Sequence, residues 1–247
     1  MRIGIIGNGN LGMAISSMLR RNGFYNFNIS DVDKYKANMT NKENIENSDI
    51  LFLCVKPIDV PSVLSNFENS HNSNKKILIS PAAGVGIADI ERYTNTYIVR
   101  IMPNLTIQYG KGIIPYYLKN GEELPNSVKQ LFSGMKLLKC RNEDLLNLST
   151  ICNGSMPAYL AYFSREYVKF AVENGFSNSE AIAMQISALE GTLQMMKEHT
   201  FDQIASMVSS QKGVTQKGLR HLDELQVPAS LQSSLRISHD HLCTLKI

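Results

Sequence analysis

Ile3-Gly4-Ile5-Ile6-Gly7-Asn8-Gly9-Asn10-Leu11-Gly12 is the stretch that decides the fold. A short apolar run leads into G-x-G-x-x-G, and Leu11, Ala14, Ile15, Met18 and Leu19 then recur at helical spacing. The glycine pattern alone is weak, but between a strand and an amphipathic helix it becomes specific for a dinucleotide. Gly7 allows the tight turn, Gly9 lets the backbone approach a pyrophosphate, and Gly12 permits close helix–strand packing. The helix start at Asn10 and Leu11 supplies free N–H groups and partial positive charge. Asp31 closes the second predicted strand, where an acid accepts hydrogen bonds from an adenosine ribose and opposes a 2'-phosphate. No Arg follows it, although Lys34 is near. A glycine-rich turn without ligand and a turn-forming Asp are the plainer readings of these two features.

Outward from that turn, strand-like runs at 2–6, 26–30, 50–55, 76–80 and 96–101 alternate with helical or polar stretches. Such alternation predicts βαβ units and a mostly parallel, doubly wound sheet of the Rossmann type. Two more runs, 112–117 and 135–140, extend its edge. After residue 141 strand signals cease. Helices are expected over 143–152, 157–174, 179–198, 201–208, 213–224 and 228–244, with Ser177 or Ser179 capping the third and Pro228 in the first turn of the last. The division is therefore an α/β domain over 1–150 and an all-helical domain over 151–247. The polar segment 69–74 reads as a surface loop.

Of 247 residues, 43% are hydrophobic and 19% charged, an ordinary globular balance. A net charge of +3 is too small to argue for nucleic acid or a membrane surface. No run of about eighteen apolar residues exists to span a bilayer, and the N-terminus reads as strand and turn rather than signal peptide. Cys54, Cys140, Cys152 and Cys243 are isolated, which predicts neither zinc site nor disulfide and makes a reducing cytoplasm the expected compartment. No metal site is expected.

Further motifs occur in order. Asn41-Lys42-Glu43 precedes Ser48-Asp49-Ile50-Leu51-Phe52-Leu53-Cys54-Val55-Lys56-Pro57. Ser80-Pro81-Ala82-Ala83-Gly84-Val85 and Arg100-Ile101-Met102-Pro103-Asn104 follow. Then come Glu143-Asp144-Leu145-Leu146, Asn153-Gly154-Ser155-Met156-Pro157-Ala158-Tyr159 and Val208-Ser209-Ser210-Gln211-Lys212-Gly213-Val214-Thr215. Together they resemble the pyrroline-5-carboxylate reductases, whose corresponding segments read "DvvfLAVKP", "SxAAGV", "RxMPN", "EEDLxD…SGSGPAY" and "VxSPGGTT". The resemblance covers nearly the whole chain. It implies NADH or NADPH as cofactor, with Asn41 by the adenosine ribose and Val55, Lys56 and Pro57 along the pyrophosphate and nicotinamide ribose. Ala82, Ala83, Gly84 and Asn104 would hold the nicotinamide. Ser209, Ser210, Gly213, Val214 and Thr215 would receive the substrate, with Thr215 as the catalytic hydroxyl near the imine nitrogen. Glu198 matches an acidic position in the helix before that loop. The activity implied is hydride transfer to the C=N bond of 1-pyrroline-5-carboxylate, giving proline, in a homodimer or larger assembly.

The chemistry stands without the name. An imino acid offers one carboxylate and one C=N bond, and a helix start bearing hydroxyls can bind the carboxylate. The protonated imine is already electrophilic, so positioning against the nicotinamide suffices. Each residue also has a plain reading: Lys56 as a solvated strand-end charge, Asn104 as a turn residue, Thr215 as a first-turn residue and Glu198 as a solvated acid.

Three departures stand out. Gln211-Lys212 replaces Pro-Gly, Met156 replaces a glycine, and Asp31 favours NADH where many relatives use the phosphorylated cofactor. Met156 would be strained if its φ were positive. Reduction of another cyclic imino acid is therefore an alternative, as is a cofactor-binding protein without turnover. A β-hydroxyacid dehydrogenase would need G-x-x-x-K-x-x-x-N, and the helix at Pro157 offers only Lys169 with no matching Asn.

Overall fold

A computed structural model describes residues 1–67 and 76–245. The loop expected at 69–74 lies outside the described residues. Seven strands form one sheet: β1 (Ile3–Ile6), β2 (Phe27–Ser30), β3 (Ile50–Leu53), β4 (Ile77–Ser80), β5 (Tyr97–Ile101), β6 (Ile113–Tyr117) and β7 (Lys136–Lys139), in the order β2-β1-β3-β4-β5-β6-β7. The first five are mutually parallel. β6 runs antiparallel to β5, and β7 parallel to β6, so the expected edge pair is present and reversed in direction. The helices beside the sheet are α1 (Asn10–Arg21), α2 (Asn41–Asn47), α3 (Val60–Leu64), α4 (Ile87–Ile90), α5 (Asn126–Leu131) and α6 (Glu143–Ser149).

Alternation within the strands explains why the sheet needs cover on both sides. In β3, Ile50 and Phe52 join Ile15, Met18 and Leu19 of α1 in one core, while Leu51 and Leu53 join Ile45, Val60 and Val63 in another. Such a sheet reads as a continuous apolar run, and both faces are buried. Phe52 meets Phe132 edge to face, ring centroids 6.2 Å apart.

The remaining helices are α7 (Met156–Glu173), α8 (Asn178–Met195), α9 (Phe201–Val208), α10 (Val214–Glu224) and α11 (Val227–Thr244). Ser177 is the α8 cap: its hydroxyl accepts from Glu180 N–H and the Glu180 carboxylate accepts from Ser177 N–H, a reciprocal box. The helix expected over 143–152 gives way to a wider π turn at Thr150–Gly154. That turn places Asn153 to bond strand-side carbonyls, donating to Met102 O at 3.0 Å.

Packing divides the chain into one unit of Met1–Pro157 with the described residues from Ser238 on, and a second of Ala158–Ile237. This differs from the cut at 150. The bonds of Asn153 tie the π turn to the first unit, and Leu242 is buried. Met156 opens α7 and is not among the left-handed residues, so the strain considered for it does not arise.

Candidate functional site

The glycine turn is built by contacts that no side chain would survive. Gly7 has φ +94° and donates its N–H to Ser30 O at 2.7 Å. A Cβ on it would lie 2.6 Å from Cys54 O. At Gly12 a Cβ would collide with the carbonyl of Gly7, so α1 can sit this close to β1 only without one. Around Gly9 nothing lies within 4 Å of the same construction, which leaves open space for a ligand. The N-terminus of α1 has neither a side-chain cap nor an acid in its first turn. Its unbonded N–H groups and positive dipole end are therefore uncompensated, the condition that suits a pyrophosphate.

The Asp31 carboxylate ties the end of β2 to this turn. Oδ2 accepts from Asn8 N–H at 2.6 Å and Oδ1 from Asp33 N–H at 2.9 Å. A carboxylate has about four acceptor positions, so two backbone bonds leave capacity for ribose hydroxyls. Asn41 starts α2, and the box between Thr40 and Glu43 fixes that start: Glu43 Oε2 accepts from Thr40 N–H at 2.8 Å. The backbone bond from Thr40 holds the Glu43 carboxyl below its ordinary range. Gly7, Gly9, Asp31, Asn41, Val55 and Lys56 line one cleft of about 300 Å³. Lys56 supplies its cation, Asp31 and Asp59 its acids, and Pro57 opens the short turn that follows. Cys54 lies in the floor, where burial pushes its thiol far up and keeps it protonated.

Ala82, Ala83 and Gly84 form the turn after β4. Gly84 has φ +75°, and a Cβ there would strike Leu245. Beneath the turn lies Arg100, whose side chain is 0% exposed. Its Nη2 donates to Ala82 O at 3.0 Å and to Asn147 Oδ1 at 3.0 Å, and its Nη1 to Glu143 Oε1 at 3.1 Å. Burial lowers the Arg100 pKa, and Glu143 opposes that shift. Arg100 and Glu143 stand within the sequence motifs, and the motifs assign neither a role. The available signal was a cation inside the apolar β5 run. Asn104 caps the following turn: its Oδ1 accepts from Thr106 N–H at 3.0 Å and its Nδ2 donates to Asn153 O at 3.0 Å. Those bonds give it a structural job whether or not it touches a cofactor.

In the second unit, Ser209, Ser210, Gly213, Val214 and Thr215 lie on the loop from α9 into α10. Ser209 Oγ donates to Ala205 O at 2.6 Å, so it is spent on ending α9. Gly213 caps α10 without a side chain, and Val214 and Thr215 are exposed in its first turn. Lys212 sits at φ +62°, a left-handed conformation that favours glycine, and its N–H donates to Gln216 Oε1 at 2.8 Å. Glu198 corrects an expectation: α8 ends at Met195, so Glu198 is exposed in the turn after it and not in a helix. The bond from His199 N–H to Met195 O closes that turn.

Residues 2–84 match the family described as "NADP oxidoreductase coenzyme F420-dependent", and residues 143–243 match "Pyrroline-5-carboxylate reductase dimerisation". Fold and cleft thus define an NAD(P)H-dependent oxidoreductase built from a Rossmann unit and a helical dimerisation unit. A pyrroline-5-carboxylate reductase from Corynebacterium melassecola is 31% identical over 245 residues, covering 90% of this chain and 90% of the relative. The chain belongs to the pyrroline-5-carboxylate reductase family. The Aquifex aeolicus enzyme is 29% identical over 91% of this chain and 89% of its own length. Among solved structures, Plasmodium falciparum pyrroline carboxylate reductase with NADP bound shares the fold, with TM-score 0.89 at 21% identity over 99% of this chain and 98% of that one.

Proposed function

We propose that the chain reduces the C=N bond of 1-pyrroline-5-carboxylate to give proline, prefers NADH, and works in the cytoplasm as a homodimer or larger assembly. The observation that carries the reading is the 31% identity to a pyrroline-5-carboxylate reductase across nine-tenths of both chains. The residues suit the cofactor: an uncapped α1 start, open space at Gly9, and acceptor capacity on Asp31. Reduced nicotinamide, when bound, supplies the hydride. Gly7, Gly9, Asn10, Leu11 and Gly12 hold the phosphates, Asp31 and Asn41 the ribose, and Val55, Lys56 and Pro57 the middle of the molecule. Ala82, Ala83, Gly84 and Asn104 orient the reactive ring. Thr215 presents an exposed hydroxyl at the start of α10, and the α10 dipole favours a carboxylate there. Ser209, Ser210, Gly213 and Val214 shape the same loop. Glu198, free in solvent, is the weakest member of the proposed substrate set.

Preference for NADH follows from charge. A 2'-phosphate would meet Asp31 and Asp33, and Lys36 is partly engaged with Asp33 at 3.6 Å. Steady-state oxidation of NADH and NADPH with pyrroline-5-carboxylate and its six-membered homologue tests the reading. The expected result is imine-dependent turnover, with kcat/KM for NADH at least about tenfold above NADPH, or 1.4 kcal/mol. The reverse ratio would overturn the NADH assignment. Faster turnover of the six-membered ring would move the substrate, and turnover of neither imine would leave a dinucleotide-binding protein without catalysis.

A further inference from the structure

A buried guanidinium is costly to keep, so its partners show what it is kept for. Arg100 sits near the end of β5 between Val99 and Ile101, wholly out of solvent, and its Nε finds no partner among the described residues. Its other nitrogens reach three groups from two distant segments. One is the carbonyl of Ala82, and the others are the side chains of Glu143 and Asn147 on α6. Glu143 Oε1 in turn accepts from Ile87 N–H at 2.9 Å. The ion pair therefore grips the loop between β4 and α4 at both ends, Ala82 through Arg100 and Ile87 through Glu143. Ala82 N–H is also turned inward, toward Ser80 Oγ at 3.4 Å. Among the described residues nothing accepts from the N–H groups of Ala83 and Gly84, so the clamp spends the first residue of the turn on the protein and leaves the next two donors unbonded there, with Leu245 packed against Gly84.

We propose that Arg100 and Glu143 are positioning residues for the nicotinamide end of the cofactor, acting through the loop from Ala82 to Ile87 and touching neither cofactor nor substrate. The inference rests on the reading that residues 82–84 carry the nicotinamide. A neutral, similarly sized pair keeps the core filled without leaving a lone charge, which makes Arg100→Met with Glu143→Gln the informative double variant. Dissociation constants are measured for NADH and for ADP-ribose, the same molecule without its nicotinamide, alongside the melting temperature.

In the unaltered protein NADH should bind more tightly than ADP-ribose, because the turn holds the ring. In the double variant NADH should weaken about tenfold while ADP-ribose stays within about twofold, the split that loss of one positioned contact region produces. Arg100→Lys, which reaches Ala82 O but cannot also fork to Glu143 and Asn147, should give an intermediate loss of about threefold for NADH alone. If the double variant does not fold, the lysine variant decides. Parallel weakening of both ligands, or no change in their ratio, would make the ion pair merely structural and overturn the proposal. Equal affinities in the unaltered protein would instead dismiss the reading of residues 82–84, and the clamp with it.

Discussion

The Rossmann unit and the helical unit solve the burial problem in opposite ways. In the first, β1, β3, β4 and β5 each feed apolar residues to two cores, and Ile5, Phe52, Leu53 and Val99 are fully buried. In the second, α7, α9 and α10 bury no residue and α8 buries Ala181 alone. Meanwhile Phe163, Tyr167, Phe170, Ile186 and Leu193 remain exposed. So many exposed apolar side chains suit a surface that meets another chain, in keeping with the match of residues 143–243 to a dimerisation family. The first unit thus closes its core within one chain, whereas the helical unit is finished only in the proposed assembly.

Paired substitutions test that contrast, beginning with the largest effect. Phe52→Ala should lower stability by about 3–5 kcal/mol in denaturant unfolding, since it empties a core position beside Phe132. Ile186→Glu should scarcely alter the fold of one chain. Its effect should fall on assembly, where sedimentation should show the dissociation constant between copies raised roughly 30- to 1000-fold, as for loss of 2–4 kcal/mol at an interface. Dinucleotide affinity should stay within about twofold. A monomeric unaltered protein at micromolar concentration would break the comparison.

Thr215→Val sharpens the same contrast within the site. It keeps the shape and removes the hydroxyl, so kcat/KM for the imine should drop roughly 5- to 150-fold, about 1–3 kcal/mol, with cofactor affinity unchanged. Full retention of kcat/KM would reduce Thr215 to a helix-start residue, and lost cofactor affinity would assign it to the other unit's function. The smallest effect belongs to Lys212→Gly. Relief of a left-handed non-glycine residue should raise stability by about 0.5–1 kcal/mol, seen as a higher Tm. A lower Tm would mean that the bond from Lys212 N–H to Gln216 is not kept by glycine.

Much of the fold is legible in the sequence. Strands such as β1 and β3 are continuous apolar runs, and the helices of the second unit follow from periodicity to within a few residues. The glycine turn was readable because Gly7 and Gly12 are demanded by local geometry. What escaped depends on contacts across long separations. Arg100 pairs with a Glu 43 residues away, and no periodicity encodes that. Asn104 needed Asn153, 49 residues on, to show that its amide is already bonded. The sequence pattern points to strain at Met156, yet the backbone places it at Lys212, because a missing glycine costs energy only where φ is positive.

Transfer of a labelled hydride tests the central claim most directly. The protein is mixed with 1-pyrroline-5-carboxylate and NADH carrying deuterium at nicotinamide C4, and the product is read by mass spectrometry. The expected product is proline with one deuterium on the ring carbon of the former C=N bond, from one face of the nicotinamide only. Cofactor that keeps its deuterium while the imine is unchanged would contradict it.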